Sequence, residues 1–175
     1  MTIRINRLNR WLGIALGAAA VAVLLFLGNA GTLVSQAATP CPPAPPEPRI
    51  TGAAMQRYEH GYMVWLKDSQ SFFVMYGDQF SGTFEVYPDT WKEGMPETDP
   101  KLVPPPGLFQ PTRGGGYLWR NNQKVREGLG WGIEPPTGFT MLIQTHGNKT
   151  WFNGQGYDVF EMTDKNWRSV DVWRK

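Results

Sequence analysis

Two histidines, His60 and His146, stand 86 residues apart, and each is followed by glycine. Imidazole serves as a general base or a metal ligand, but a metal site normally takes three or four ligands at recognisable spacing. The two His-Gly pairs are therefore read as turn residues, and no catalytic residue, metal or cofactor is assigned. Tryptophan is the richer signal. Trp65, Trp151 and Trp173 fall at equivalent positions of a repeat and are read as core. Trp91, Trp119 and Trp131 lie in or beside a non-repeated stretch together with Arg113, Tyr117 and Arg120. Aromatic faces next to polar side chains form platforms for a sugar or a peptide; the competing reading is that these rings pin long loops, since tryptophan is highly buried on average. Asp89, Glu93, Glu97 and Asp99 crowd a proline-rich stretch where solvation is expected. With no nucleophile and base in view, a hydrolase built on them is an alternative without support. Gly114-Gly115-Gly116 is not a phosphate loop, because no Lys-Ser or Lys-Thr follows it.

The elements that must position these residues are used twice. Residues 51–65 return without a gap at 137–151, so that Thr51, Gly52, Met55, His60, Gly61 and Trp65 coincide with Thr137, Gly138, Met141, His146, Gly147 and Trp151. Such self-similarity means a fold assembled from copies of one unit. In the second copy, Phe139 to Thr145 is rich in β-branched and aromatic residues and predicts a strand; the gapless match extends that prediction to 53–59. Each His-Gly pair then makes a tight turn in which Gly61 and Gly147 supply a positive φ. Trp65 and Trp151 end the returning strands and are expected to point into a shared interior. Two further strands complete each copy, the last at 83–87 or 169–173, and the two meanders would bury one face each against the other. Between the copies, residues 88–107 predict a long proline-rich loop. Val125 and Leu129, four apart with Gly130 placed as a cap, predict one short helix.

Upstream, Arg4, Arg7 and Arg10 precede an uncharged apolar run from Trp11 to Leu27. At about 1.5 Å per residue, residues 11–34 are long enough to span a ~30 Å hydrocarbon core, and the positive flank keeps the N-terminus inside. Residues 1–37 are thus a signal or transmembrane anchor, with Ser35-Gln36-Ala37 offering a cleavage site; residues 41–175 lie outside, anchored to the membrane or, after cleavage, secreted. Residues 38–50 form a stiff spacer, with six prolines between Pro40 and Pro48. The single cysteine, Cys41, makes no internal disulfide. Three of the 17 Lys and Arg precede the apolar run, leaving 14 against 15 Asp and Glu. That balance, with basic residues scattered singly, speaks against nucleic acid as a partner.

Residues 125–151 carry a helix, then Leu129-Gly130-Trp131, a proline turn, and a strand that ends in Trp151. This arrangement resembles the LGFP repeats of exported bacterial cell-wall-associated proteins, with Trp131-Gly132 where those repeats place Phe-Pro. Gly61-Tyr62-Met63-Val64-Trp65 and Pro106-Gly107-Leu108-Phe109-Gln110-Pro111 also resemble phrases of uncharacterised exported bacterial proteins. The resemblance implies attachment to, or display on, the cell envelope. The expectation is a mainly β chain with a minor α component: an anchor (1–37), a Pro-rich linker (38–50) and an exported β module (51–175). That module consists of two related antiparallel β-meanders (51–87 and 137–173) with one short helix between them. Its expected role is non-catalytic binding to wall polysaccharide, peptidoglycan or a partner protein. The alternatives are a small envelope hydrolase and a scaffold without a small ligand. The expected platform is Trp91, Arg113, Tyr117, Trp119, Arg120 and Trp131; Gly61, Trp65, Gly147 and Trp151 are expected to be structural.

Overall fold

The repeated stretch folds as eight antiparallel strands that close on themselves. A computed structural model describes residues 46–156 and 158–170. The anchor of 1–37, Cys41, most of the linker and Trp173 lie outside the described residues. Among those that are described, no helix is long and apolar enough to cross a membrane.

The first copy is the meander β1 (Arg49–Tyr58), β2 (Gly61–Leu66), β3 (Ser71–Gly77) and β4 (Ser81–Pro88). Two helices follow, α1 (Arg113–Asn121) and α2 (Gln123–Leu129), and then the second meander: β5 (Thr137–His146), β6 (Lys149–Asn153), β7 (Val159–Thr163) and β8 (Asn166–Ser169). The fold is mainly β, as its residue types predict, but the meanders do not stack as two sheets. They join edge to edge, β1 against β5 and β4 against β8, in a closed barrel of order β1-β2-β3-β4-β8-β7-β6-β5. Closure pairs both edges of each meander, which two stacked sheets would leave open. The final strand is β8, Asn166–Ser169, ahead of the expected 169–173, of which 171–173 lie outside the described residues.

Alternation along the strands separates two cores. Side chains directed inward come from all eight strands and include Met55, Val64, Met75, Met141, Phe152, Phe160 and Trp167. Phe160 stands edge-on to Tyr62 at 5.3 Å and stacks on Phe152 at 5.3 Å. An eight-stranded barrel is just narrow enough for side chains to fill. The second core lies outside the barrel, where Tyr58, Met63, Phe72 and Val74 of the first meander meet Trp119, Val125 and Leu129 of the helices. The strands β2 and β3 are apolar on both faces because both are covered. Trp65 and Trp151 correct the expectation of an inward pair. Trp65 is opposite Ala54 and Phe72, and Trp151 is opposite Gln144 and Glu161, so both belong to the outward set.

Two helices replace the single one expected. Asn122 leaves the helical region (φ −123°, ψ 105°) and accepts the Val125 backbone N–H on its side chain, which starts α2 afresh. Gly130 closes α2 at φ 71°. The three glycines that disguise α1 in the sequence are its first turn. A β-carbon at Gly114 would run into the Asp89 carboxylate, one at Gly115 would crowd the Met63 sulfur, and one at Gly116 would strike the Pro111 carbonyl. Each glycine costs a helix about 1 kcal/mol relative to alanine, and here close approach to the barrel outweighs that cost.

The His-Gly pairs are also not equivalent. In the first copy the turn is Glu59-His60 and Gly61 already belongs to β2, opposite Tyr58; in the second, His146 ends β5 and the turn is Gly147-Asn148. The shift follows from what each turn touches. The Glu59 and His60 N–H groups donate to the carbonyls of Trp131 and Leu129, each at 3.0 Å, whereas no such bond from the described residues ties down Gly147-Asn148.

Candidate functional site

A cavity of about 600 Å³ opens between the outer face of the first meander and the segment that links the two copies. Its floor is the outward side of the sheet: Ala54, Gln56 and Tyr58 from β1, Met63 and Trp65 from β2, and Phe72 from β3. The linking segment supplies the wall through Asp89, Trp91, Glu97 and the start of α1. Because that start is glycine, the helix contributes backbone where side chains would otherwise fill the space.

The floor is fixed by hydrogen bonds. Tyr58 donates its hydroxyl to Gln56 Oε1 at 3.0 Å, and Gln56 Nε2 donates to the Glu134 carbonyl at 2.8 Å. Burial pushes the Tyr58 hydroxyl above its ordinary pKa, so it remains a donor. The wall is pinned as firmly. Arg120 donates to the carbonyls of Glu97 and Pro96 at 2.8 and 2.9 Å, and Gln110 Nε2 clamps the carbonyls of Asp99 and Leu102 at 2.8 and 2.7 Å. Arg113 Nε pairs with Glu97 Oε1 at 3.2 Å. Arg113 does so with φ at 50°, a left-handed conformation that costs a residue with a β-carbon roughly 1–2 kcal/mol.

Within this ordered frame two donors are left over. Among the described residues, the indole nitrogens of Trp65 and Trp91 are buried and meet no acceptor, and both side chains line the cavity. The other buried indoles are provided for: Trp119 donates to the Gly130 carbonyl at 2.7 Å, Trp151 to Glu161 at 2.9 Å and Trp167 to the Tyr76 carbonyl at 2.9 Å. An unmatched buried donor costs about 1–3 kcal/mol, and both of these belong to side chains of the cavity lining.

The structure divides the six residues of the expected platform. Trp91 and Arg113 line the cavity. Trp119 is only 1% exposed and packs at 5.0 Å against Trp131 in the core outside the barrel. Arg120 holds the 96–97 backbone, and Tyr117 lies half-buried on α1 without lining the cavity. Trp65, assigned a structural role inside the barrel, is part of the site instead. Gln56, Tyr58 and Asp89 complete it; a polar Gln56 in the middle of an otherwise buried strand is the sequence signal for the first of these. Leu129-Gly130-Trp131 serves packing: Leu129 is fully buried, Gly130 caps α2, and the Trp131 backbone N–H donates to Glu59 at 2.7 Å.

On the second meander the outer face has no covering segment among the described residues. There Glu161 gathers Arg168 at 3.0 Å, Lys149 at 3.2 Å and the Trp151 indole. Its pKa falls to about 2, first through the Arg168 hydrogen bonds. This is a closed charge network. Comparison of the chain with family models, with curated proteins and with solved structures returns no match.

Proposed function

We propose that residues 51–170 form a non-catalytic binding module, held outside the cell membrane by the N-terminal segment 1–37, whose cavity takes a saccharide of the cell envelope, from wall glycan or peptidoglycan. The observation that carries this reading is the meeting of three aromatic side chains, Trp65, Phe72 and Trp91, with the carboxylates of Asp89 and Glu97 on one cavity. A sugar hydroxyl donates to a carboxylate of that lining. The apolar C–H face of a sugar ring meanwhile lies against the Trp65, Trp91 and Phe72 rings. The likeness of residues 125–151 to LGFP repeats supports the envelope as the setting.

A second reading has one observation in its favour: Asp89 and Glu97, two carboxylates, line the same cavity, as a hydrolase would require. The Arg113–Glu97 ion pair weighs against it, because it occupies one of the two acids. Titration of the detergent-solubilised full chain with soluble wall glycan, followed by assay of the recovered glycan for new reducing ends, separates the two. Binding that Trp91→Ala abolishes, with the glycan recovered intact, is the expected result. New reducing ends that vanish in Asp89→Asn establish the hydrolase, and no binding to any wall fraction overturns both.

A further inference from the structure

Charge on the cavity wall narrows the ligand further. Three charged side chains line the cavity: Asp89, Glu97 and Arg113. Arg113 and Glu97 cancel each other across 3.2 Å. Asp89 has no such partner: among the described residues, no Lys, Arg or His forms an ion pair with it. Its Oδ1 accepts the Trp91 backbone N–H at 3.1 Å, while Oδ2 receives no hydrogen bond from the described residues. The carboxylate is half-buried over Gly114, on the same wall as the Trp91 ring. It stands at the N-terminal turn of α1, whose dipole favours a negative group while Oδ2 stays free for a donor.

Resting on the saccharide reading above, we infer that the cavity selects an amino sugar with a free amine, and that Asp89 is the counter-ion of its ammonium group. Three features of the wall fit the three parts of such a ligand. The ammonium donates to Asp89 Oδ2 in a charge-assisted hydrogen bond, which is shorter and stronger than a neutral one. Indole faces favour a cation as well as a sugar ring, through the negative potential above the ring. Hydroxyls beside the amine meet polar side chains of the same lining, among them Gln56 and Thr112. An N-acetylated sugar offers the carboxylate one neutral amide N–H in place of an ammonium charge. De-N-acetylated glycan is therefore the class of ligand that balances the wall.

The test measures affinity of the full chain in detergent for three oligosaccharides of equal length: glucosamine, N-acetylglucosamine and glucose oligomers. The glucosamine oligomer should bind at least about tenfold more tightly than the other two, a difference of about 1.4 kcal/mol. Asp89→Asn, which keeps an oxygen for the Trp91 N–H, should bind all three alike, with a cooperative thermal unfolding transition as proof of folding. A check independent of any variant raises the pH to about 10, where a free amine with a pKa of about 8 is uncharged; the wild-type preference should then vanish. Equal wild-type affinity for the three oligomers, or a preference that survives Asp89→Asn or high pH, overturns the amine inference while leaving saccharide binding in place. Failure of all three to bind overturns both.

Discussion

Trp119 donates its indole N–H to the carbonyl of Gly130 at 2.7 Å, which ties α1 to the residue that ends α2. This hydrogen bond separates the Trp119 indole from those of Trp65 and Trp91, whose nitrogens meet no partner among the described residues. Trp119→Phe should lower the unfolding free energy by about 1–3 kcal/mol by leaving the Gly130 carbonyl unmatched, and Trp119→Ala by about 3–5 kcal/mol through the cavity it opens. Trp65→Phe and Trp91→Phe remove donors that the folded chain leaves unsatisfied. In the absence of ligand they should hold or raise the thermal midpoint, while each weakens glycan binding. Calorimetric melting of the four variants, with and without glycan, checks the contrast.

Gly61 and Gly147 occupy matching places in the repeat, yet their replacement should have different consequences. At Gly61 φ is 129°, and a β-carbon would come within 1.9 Å of the Met75 carbonyl oxygen; at Gly147 φ is 60° with nothing within 4 Å. Gly61→Ala is expected to cost on the order of 3 kcal/mol or more, from backbone strain and overpacking together. Gly147→Ala should cost about 1–2 kcal/mol, from strain alone. Denaturant midpoints of the two variants give the comparison.

Glu161 makes stability depend on acid. Its folded pKa of about 2 lies below the ordinary 4.5, so its contribution is complete above about pH 4.5 and is lost as the pH falls toward 2. The Arg168 and Lys149 partners are charged throughout this range. Glu161→Gln should flatten the stability curve between those limits and lower stability at neutral pH. Glu85, held below its ordinary pKa first by Lys124 and then by the Tyr87 hydroxyl at 2.6 Å, adds a slope of the same sign. Urea denaturation of wild type and Glu161→Gln at several pH values isolates the Glu161 share as the difference between the curves.

Orientation has a chemical readout at Cys41, the single cysteine. If Arg4, Arg7 and Arg10 keep the N-terminus inside, a membrane-impermeant thiol reagent should label Cys41 on intact cells as fully as after lysis. Labelling that appears only after lysis places the module on the other side of the membrane.

The duplicated unit is legible in the sequence because its copies align without a gap, and each strand carries its own apolar pattern. Closure of the barrel is not, since the seams join residues as far apart as Thr51 and Met141 and no local signal marks a paired edge. Trp65 was misplaced for a related reason. Tyr62-Met63-Val64-Trp65-Leu66 is apolar at every position, so alternation cannot tell the barrel face from the face under the helices; Trp151, between polar Thr150 and Asn153 neighbours beside Phe152, is hardly clearer. Gly114-Gly115-Gly116 reads as loop because intrinsic preference is the only local signal it carries, and the contacts that override that preference come from Met63, Asp89 and Pro111. The cavity itself depends on those distant contacts. Of its lining, Trp91 and Arg113 are suggested by residue type and Asp89 and Glu97 as carboxylates of the hydrolase alternative, while Trp65 emerges only once the linking segment is seen to lie across the first meander.

Both seams of the barrel pair a strand with its own counterpart, β1 with β5 and β4 with β8. Two identical half-rings meeting about a two-fold axis would form the same contacts, so the chain has the form of a homodimer whose subunits have been fused. Fusion needs a tether, and here the tether is the stretch from the end of β4 to the start of β5. That stretch crosses only one of the two half-rings, and it carries Asp89, Trp91 and Arg113. The asymmetry of this protein thus resides in its tether: two unfused half-rings would still have Trp65 and its counterpart on their surfaces, but no wall to close a cavity over either.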